Sequence, residues 1–145
     1  KVGAILSNKE TKEKEALEFY GKNLGLTFQI ADDTLDYNSD LKFFGKKVGK
    51  DFLEGKITLP IILLFQSVAS LEKEKLKNIF KQEIRSDDDL KFTLDLIKKY
   101  NIINECYKKA EHFINLASNS LTVFKDSDEK KILENLTSFS LERTF

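Results

Sequence analysis

Along the first third of the chain, apolar side chains recur at steps of three and four: Ala16, Leu17, Tyr20, Leu24, Phe28, Ala31 and Leu35. That period predicts one long helix over residues 9–37. Asn38, Ser39 and Asp40 interrupt it. Residues 42–56 carry Gly45, Gly49 and Gly55 and are read as a structured loop. Thr58 is the expected N-cap of a helix over residues 59–69, with Pro60 tolerated in its first turn. This helix is apolar nearly all round, so it should be buried. Ser70 is expected to cap an amphipathic helix reaching about residue 83, and Ser86 another with Leu90, Leu94 and Ile97 on one face. Ile103, Cys106, Ala110, Phe113, Ala117, Leu121 and Phe124 form a long core-facing stripe. Asp126, with Glu129 three residues on, is read as the capping box of a last helix over about residues 128–143. No segment alternates as a strand would, and neither a repeat nor a linker is visible. The expected class is all-α, with six or seven helices. The apolar start at Val2, Ala4, Ile5 and Leu6 looks like the inside of a helix, as if the chain began part-way through a longer protein.

Composition narrows the function. The chain has 145 residues, 41% hydrophobic and 33% charged, with 24 basic and 24 acidic side chains and no net charge. A nucleic-acid partner would call for a basic excess, which is absent. The longest apolar run falls far short of the ~20 residues that span a bilayer, so no transmembrane segment is expected. One cysteine, Cys106, cannot form an internal disulfide and fits a reducing, cytoplasmic compartment.

The chemistry concentrates at the end of the first long helix. At ~100° per residue, Asp32, Asp33 and Asp36 fall within about 60° of Gln29. Leu24, Phe28, Ala31 and Leu35 flank this stripe on one side; Phe19, Leu26, Ile30 and Tyr37 flank it on the other. The carboxylates are therefore expected on a narrow polar stripe of an otherwise packed helix. Gly21 and Gly25 lie near the same stripe. A mid-helix glycine costs ~1 kcal/mol relative to alanine, so something is expected to approach the backbone there. Three carboxylates this close repel one another, and a divalent cation would relieve them. Oxygen donors without neighbouring His or Cys suit a hard ion, Mg²⁺ before Zn²⁺. A basic stretch follows: Lys42, Lys46, Lys47, Lys50 and Lys56 against Asp51 and Glu54. Carboxylates followed by glycine-spaced lysines suit a metal-bound diphosphate, the ion bridging acid and phosphate oxygens while ammonium groups neutralise the rest.

Each feature has a plainer reading. An isolated DDxxD is more often a solvated helix face, and isolated lysines are more often surface charge. The order weighs more than the parts: packed helix, acid stripe, Gly/Lys loop, then a proline-started buried helix. An EF-hand loop is rejected, because Asp36, Asn38 and Asp40 match its first donors but Leu41 and Lys47 replace the required Gly and Glu. Ser86 with Asp87, Asp88 and Asp89 reads as a helix cap with dipole-matched acids. His112 is read as structural or exposed, and Cys106 as a small core residue.

Three blocks, GLTFQIADDTLDY at 25–37, GKKVGKD at 45–51 and EGKITLP at 54–60, resemble the polyprenyl (trans-isoprenyl) diphosphate synthase family in order and spacing, especially its bacterial long-chain branch such as octaprenyl diphosphate synthases. A weaker likeness runs to the last helix. The resemblance implies the C-terminal half of an isoprenoid-synthase-type helical bundle, residues 1–145 forming part of a single domain. It implies an enzyme that condenses isopentenyl diphosphate onto an allylic prenyl diphosphate, using Mg²⁺ held between two aspartate-rich motifs. Asp32, Asp33 and Asp36 match the second motif and would be catalytic and metal-binding, Asp32 and Asp36 most directly and Asp33 through water. Gln29, Lys46, Lys47 and Lys56 would bind substrate diphosphate. The family's first aspartate-rich motif and its isopentenyl diphosphate site would precede Lys1, so these 145 residues alone are expected to be inactive. The parent protein is expected to be a homo-oligomer. The alternatives are a non-catalytic partner subunit and a remnant of a degraded gene, binding Mg-diphosphate or nothing. Terpene cyclases share the metal strategy, but the Gly/Lys loop followed by Thr58-Leu59-Pro60 resembles an elongating synthase instead.

Overall fold

The computed structural model describes the backbone of residues 2–8, 10–38 and 48–142, with side chains as far as residue 140. Among the described residues it is all-α: α1 Val2–Leu6, α2 Thr11–Leu35, α3 Lys50–Leu53, α4 Leu59–Ser67, α5 Ser70–Lys81, α6 Asp87–Lys99, α7 Ile102–Ser120 and α8 Asp128–Glu142, with a 3₁₀ turn at Leu121–Val123. The expected helices are all present. One more appears: α3, a single turn inside the segment expected to be loop, so the described residues hold eight helices where six or seven were expected.

The chain divides into two compact units, one formed by Lys1–Ala31 with Lys108–Phe145, the other by Asp32–Tyr107. In the first, Tyr20 and Leu24 of α2 meet Ala117 and Leu121, with Leu17, Phe124 and Leu133 packed around them. The expected stripe on α7 is real: Ala110, Ala117 and Leu121 are fully buried, while Phe113 and Phe124 are half-buried. Polar groups in this core are satisfied locally. The Tyr20 hydroxyl donates to the Leu133 carbonyl at 2.8 Å, and the Thr27 hydroxyl reaches the Asn23 carbonyl at 3.1 Å. Such bonds prevent the penalty of a buried unpaired hydroxyl.

The second unit is built on Ile61 and Leu64 of α4, Leu76 and Ile79 of α5, Leu96 and Ile97 of α6, and Ile102 of α7, all buried. Each such side chain contributes ~1.5–3 kcal/mol of apolar burial. Phe52 and Phe80 cross edge to face at 5.4 Å, and Phe65 meets Phe80 at 5.7 Å. At one end, the Glu72 carboxylate takes Lys99 Nζ at 2.6 Å and the Tyr100 hydroxyl, tying the start of α5 to the end of α6.

Several local expectations are corrected. Helix α4 is not buried all round, since Ile62 is 43% exposed. Thr58 does stand at its N-cap, but the hydroxyl caps nothing and lies buried without a hydrogen-bond partner. The N-cap of α5 is Ala69 rather than Ser70; alanine has no oxygen to offer, so the Glu72 carboxylate, accepting the Ala69 N–H at 3.3 Å, supplies half of a capping box. Ser86 caps α6 as expected, accepting the Asp89 N–H at 3.1 Å and receiving the return bond from Asp89. For α8 the cap is Ser127, which accepts the Lys130 N–H at 3.2 Å; Asp126 instead pairs with Lys130 Nζ at 2.9 Å. Both failed caps lie one residue from their observed positions, Ser70 one too late and Asp126 one too early, within the usual uncertainty of helix ends.

Candidate functional site

The acidic stripe sits on the last turn of α2, Asp32 and Asp33 within it and Asp36 just after its end. Asp32 is exposed, and Asp33 and Asp36 are half-buried. The expectation of an otherwise packed helix holds only partly: Ile30 and Tyr37 are buried, but Phe19, Leu26 and Phe28 are 46%, 38% and 38% exposed. Gln29 is exposed, one turn earlier on the same helix. Nothing among the described residues lies within 4 Å of where a Cβ on Gly21 or Gly25 would be, so the close neighbour expected there is not in this chain's described part.

The structure gives Asp36 a role that spacing does not reveal. One carboxylate oxygen accepts the Lys50 N–H at 3.2 Å and the other the Asp51 N–H at 2.9 Å, while the Asp36 carbonyl accepts the Gly49 N–H at 2.8 Å. These are the first amides of α3, which no residue at its own N-cap position serves: Gly49, with φ 84, has no side chain to offer. Asp36 thus caps a helix fourteen residues away. A side chain at Gly49 would also collide with Leu90, whose nearest methyl lies 2.4 Å from the Cβ position. Burial pushes the Asp36 carboxyl upward and the nearby Asp51 charge adds to this, against the opposing effect of the two N–H bonds.

Helix α3 delivers the lysine. It ends in a Schellman motif: the Lys56 N–H returns to the Asp51 carbonyl at 2.9 Å and the Gly55 N–H to the Phe52 carbonyl at 3.0 Å, with Gly55 left-handed at φ 77. That closure brings Lys56 Nζ to 2.8 Å from Glu54 and 2.9 Å from Asp51, with Lys50 also 3.7 Å from Glu54. Glu54 first, then Asp51, raises the Lys56 ammonium above the ordinary lysine range; Lys56 in turn lowers Glu54. The ammonium stays exposed and charged, so it can exchange these carboxylates for another anion.

Lys46 and Lys47 lie outside the described residues, as do Lys42 and Gly45. Of the site residues read from sequence, Asp32, Asp33, Asp36 and Lys56 belong to the Asp32–Tyr107 unit. Asp51 and Glu54 were counted in the sequence only as opposing charge; the structure makes them the partners of Lys56. The Lys50/Glu54 spacing and the Gly55 stop were readable signals for this, but the Asp36 cap has no sequence signature.

The donor set fits a hard cation: carboxylate oxygens, with Cys106 fully buried beside Thr34 and its thiol pushed up to about 11 by burial. Among the described residues, no three metal-donor side chains converge into a ready cage. Asp36 keeps one lone-pair direction on each oxygen beyond its N–H bonds. An ion at this stripe would therefore complete its shell with water or ligand oxygens, as Mg²⁺ commonly does. His112, expected to be structural or exposed, is exposed and meets the Phe113 ring edge-on at 5.6 Å. No described helix is long and apolar enough to cross a membrane.

Residues 1–97 match the family model for polyprenyl synthetase. A short chain isoprenyl diphosphate synthase from Methanothermobacter thermautotrophicus is 33% identical over 145 residues, 99% of this chain and 43% of the relative. Among solved structures, a decaprenyl diphosphate synthase from Rhodobacter capsulatus superposes with a TM-score of 0.90 at 29% identity, covering 99% of this chain and 44% of the other. A polyprenyl synthase from Caulobacter crescentus, complexed with calcium and isoprenyl diphosphate, gives 0.85 at 32% identity, again 99% and 44%. The chain spans less than half the length of these relatives.

Proposed function

Because the chain belongs to the polyprenyl synthetase family, we propose that it supplies the second carboxylate motif and the diphosphate lysines of a Mg²⁺-dependent trans-prenyltransferase. The reaction is condensation of isopentenyl diphosphate onto an allylic prenyl diphosphate. The allylic C–O bond breaks and pyrophosphate leaves; the isopentenyl double bond forms the new C–C bond at that carbon, and a proton is lost. The supporting observation is that Asp36 caps the turn that leads to Lys56, so the acid end of α2 and the lysine segment are held in one unit.

In this reading Asp32, Asp33 and Asp36 hold Mg²⁺, which when bound draws charge from the leaving diphosphate. Lys56 exchanges Asp51 and Glu54 for a phosphate oxygen and offsets its charge. Lys46 and Lys47 add to that charge, and Gln29 stands nearer the reacting carbon. Residues 1–145 are part of one synthase domain; the whole protein is a cytoplasmic homo-oligomer, and these residues alone do not elongate prenyl chains.

The test is calorimetric titration of the chain with pyrophosphate, with and without Mg²⁺. Mg²⁺-dependent binding is expected, weakened on the order of tenfold by Lys56→Ala. Absence of binding under both conditions sinks the diphosphate reading. Elongated product from this chain alone, with isopentenyl diphosphate and an allylic primer, would overturn the claim that it is inactive by itself.

A further inference from the structure

Arg85, in the connection between α5 and α6, is pressed against the Gly55 turn. A Cβ built on Gly55 would lie 2.9 Å from its Nη1, 3.2 Å from Nη2 and 3.4 Å from Cζ, so the guanidinium fills the space a side chain there would need. The group is held from the other side as well. Nη2 donates to the Phe80 carbonyl at 3.1 Å, and Cζ lies 5.2 Å from the Phe80 ring centre and 5.9 Å from that of Phe52. Phe52, 0% exposed, belongs to α3 itself. Its ring and that of Phe80 are locked edge to face. Arg85 Nε is buried without a hydrogen-bond partner, an arrangement that costs free energy and that a merely solvated arginine would avoid. A planar cation suits this slot where a lysine would not, because it can lie flat on aromatic faces while its fork reaches a carbonyl.

Resting on the diphosphate reading above, we propose that Arg85 is a positioning residue for Lys56: its guanidinium, seated on Phe52 and Phe80, braces the Gly55 turn and thereby holds the Lys56 ammonium over Asp51 and Glu54, ready for an anionic ligand. Arg85 itself does not touch the diphosphate. Its charge lies beneath the turn and adds a fixed positive field to the one Lys56 supplies.

Competitive acetylation of the ligand-free chain, read residue by residue by mass spectrometry, tests the bracing directly. Lys99, paired with Glu72 at 2.6 Å in the same unit, is the internal control. Arg85→Met is expected to raise Lys56 labelling several-fold while Lys99 is unchanged. Arg85→Lys, which keeps the stem and charge but not the fork, should give a smaller rise of the same sign. Unchanged Lys56 labelling in both variants overturns the proposal, and so does a parallel rise at Lys99, which would mean general loosening. The same proteins are then titrated with Mg²⁺ and pyrophosphate. Arg85→Met should weaken binding and add no further loss to Lys56→Ala; fully additive losses overturn action through Lys56. A wild-type chain that fails to bind pyrophosphate, yet shows the Lys56-specific rise, sustains the positioning role and removes only the diphosphate reading.

Discussion

Replacing Asp36 by alanine separates what this carboxylate does for the fold from what it does for a ligand. The substitution strips acceptors from the Lys50 and Asp51 amides, bonded at 3.2 and 2.9 Å. A hydrogen bond to a charged group contributes ~1.5–3 kcal/mol, and losing an N-cap costs ~0.5–2 kcal/mol. Asp36 is only half-buried, so water can replace part of what is lost. Removing the carboxylate also relieves its burial and its repulsion by Asp51, the two effects that raise its pKa. Together these place the cost near 1–2 kcal/mol, about 3–8 °C in Tm for a chain of this size. Asp32, one turn earlier and exposed, makes a control, since an exposed substitution stays within about 0.5 kcal/mol. Thermal unfolding followed by circular dichroism, without metal, should therefore rank Asp36→Ala well below Asp32→Ala. Both variants should weaken Mg²⁺-pyrophosphate binding. Equal melting temperatures for the two would refute the distant cap.

Other expectations follow from single contacts. The Tyr37 hydroxyl is buried beside that of Thr58, and neither has a hydrogen bond of normal geometry; Tyr37→Phe should be neutral or stabilise by up to about 1 kcal/mol in urea unfolding, and a clear loss would reveal a bond the geometry does not show. Gly55→Ala forces a Cβ onto a left-handed residue and into Arg85, and should lower the unfolding free energy by about 1–2 kcal/mol, read as a lower denaturation midpoint at an unchanged m-value. Lys99 first, then Tyr100, lowers Glu72 from its ordinary 4.5. A depressed carboxyl contributes stability above its unfolded value and loses it as pH falls through the folded one. The stability gap between the wild type and Glu72→Gln should thus be full near neutral pH and close below about pH 4.5; a gap that widens in acid would contradict the assigned ion pair.

The fold class was legible because helical periodicity is local: the stripe from Ile103 to Phe124 marks its own buried face, whatever packs on it. Ser86 capped its helix as expected because a capping box involves only four consecutive residues. The acid stripe and the lysine segment, with the family they resemble, were also present in the order of the residues. What the order could not supply is contact between positions far apart. Thr58 fits the N-cap rule, yet tertiary packing buries its hydroxyl and leaves it without a partner. Asp36 looks like one more carboxylate of a DDxxD, and only the return of the chain at Gly49 makes it the cap of α3. Lys56 looks like a free ammonium; the closure at Gly55 sets it on Asp51 and Glu54. Arg85 carries no motif at all, and its place against Gly55 exists because Phe52 and Phe80 meet in three dimensions. Sequence determines which segments become helices through short-range backbone and burial preferences, whereas the partners of a charged side chain depend on loop closure and packing, which sum over the whole unit.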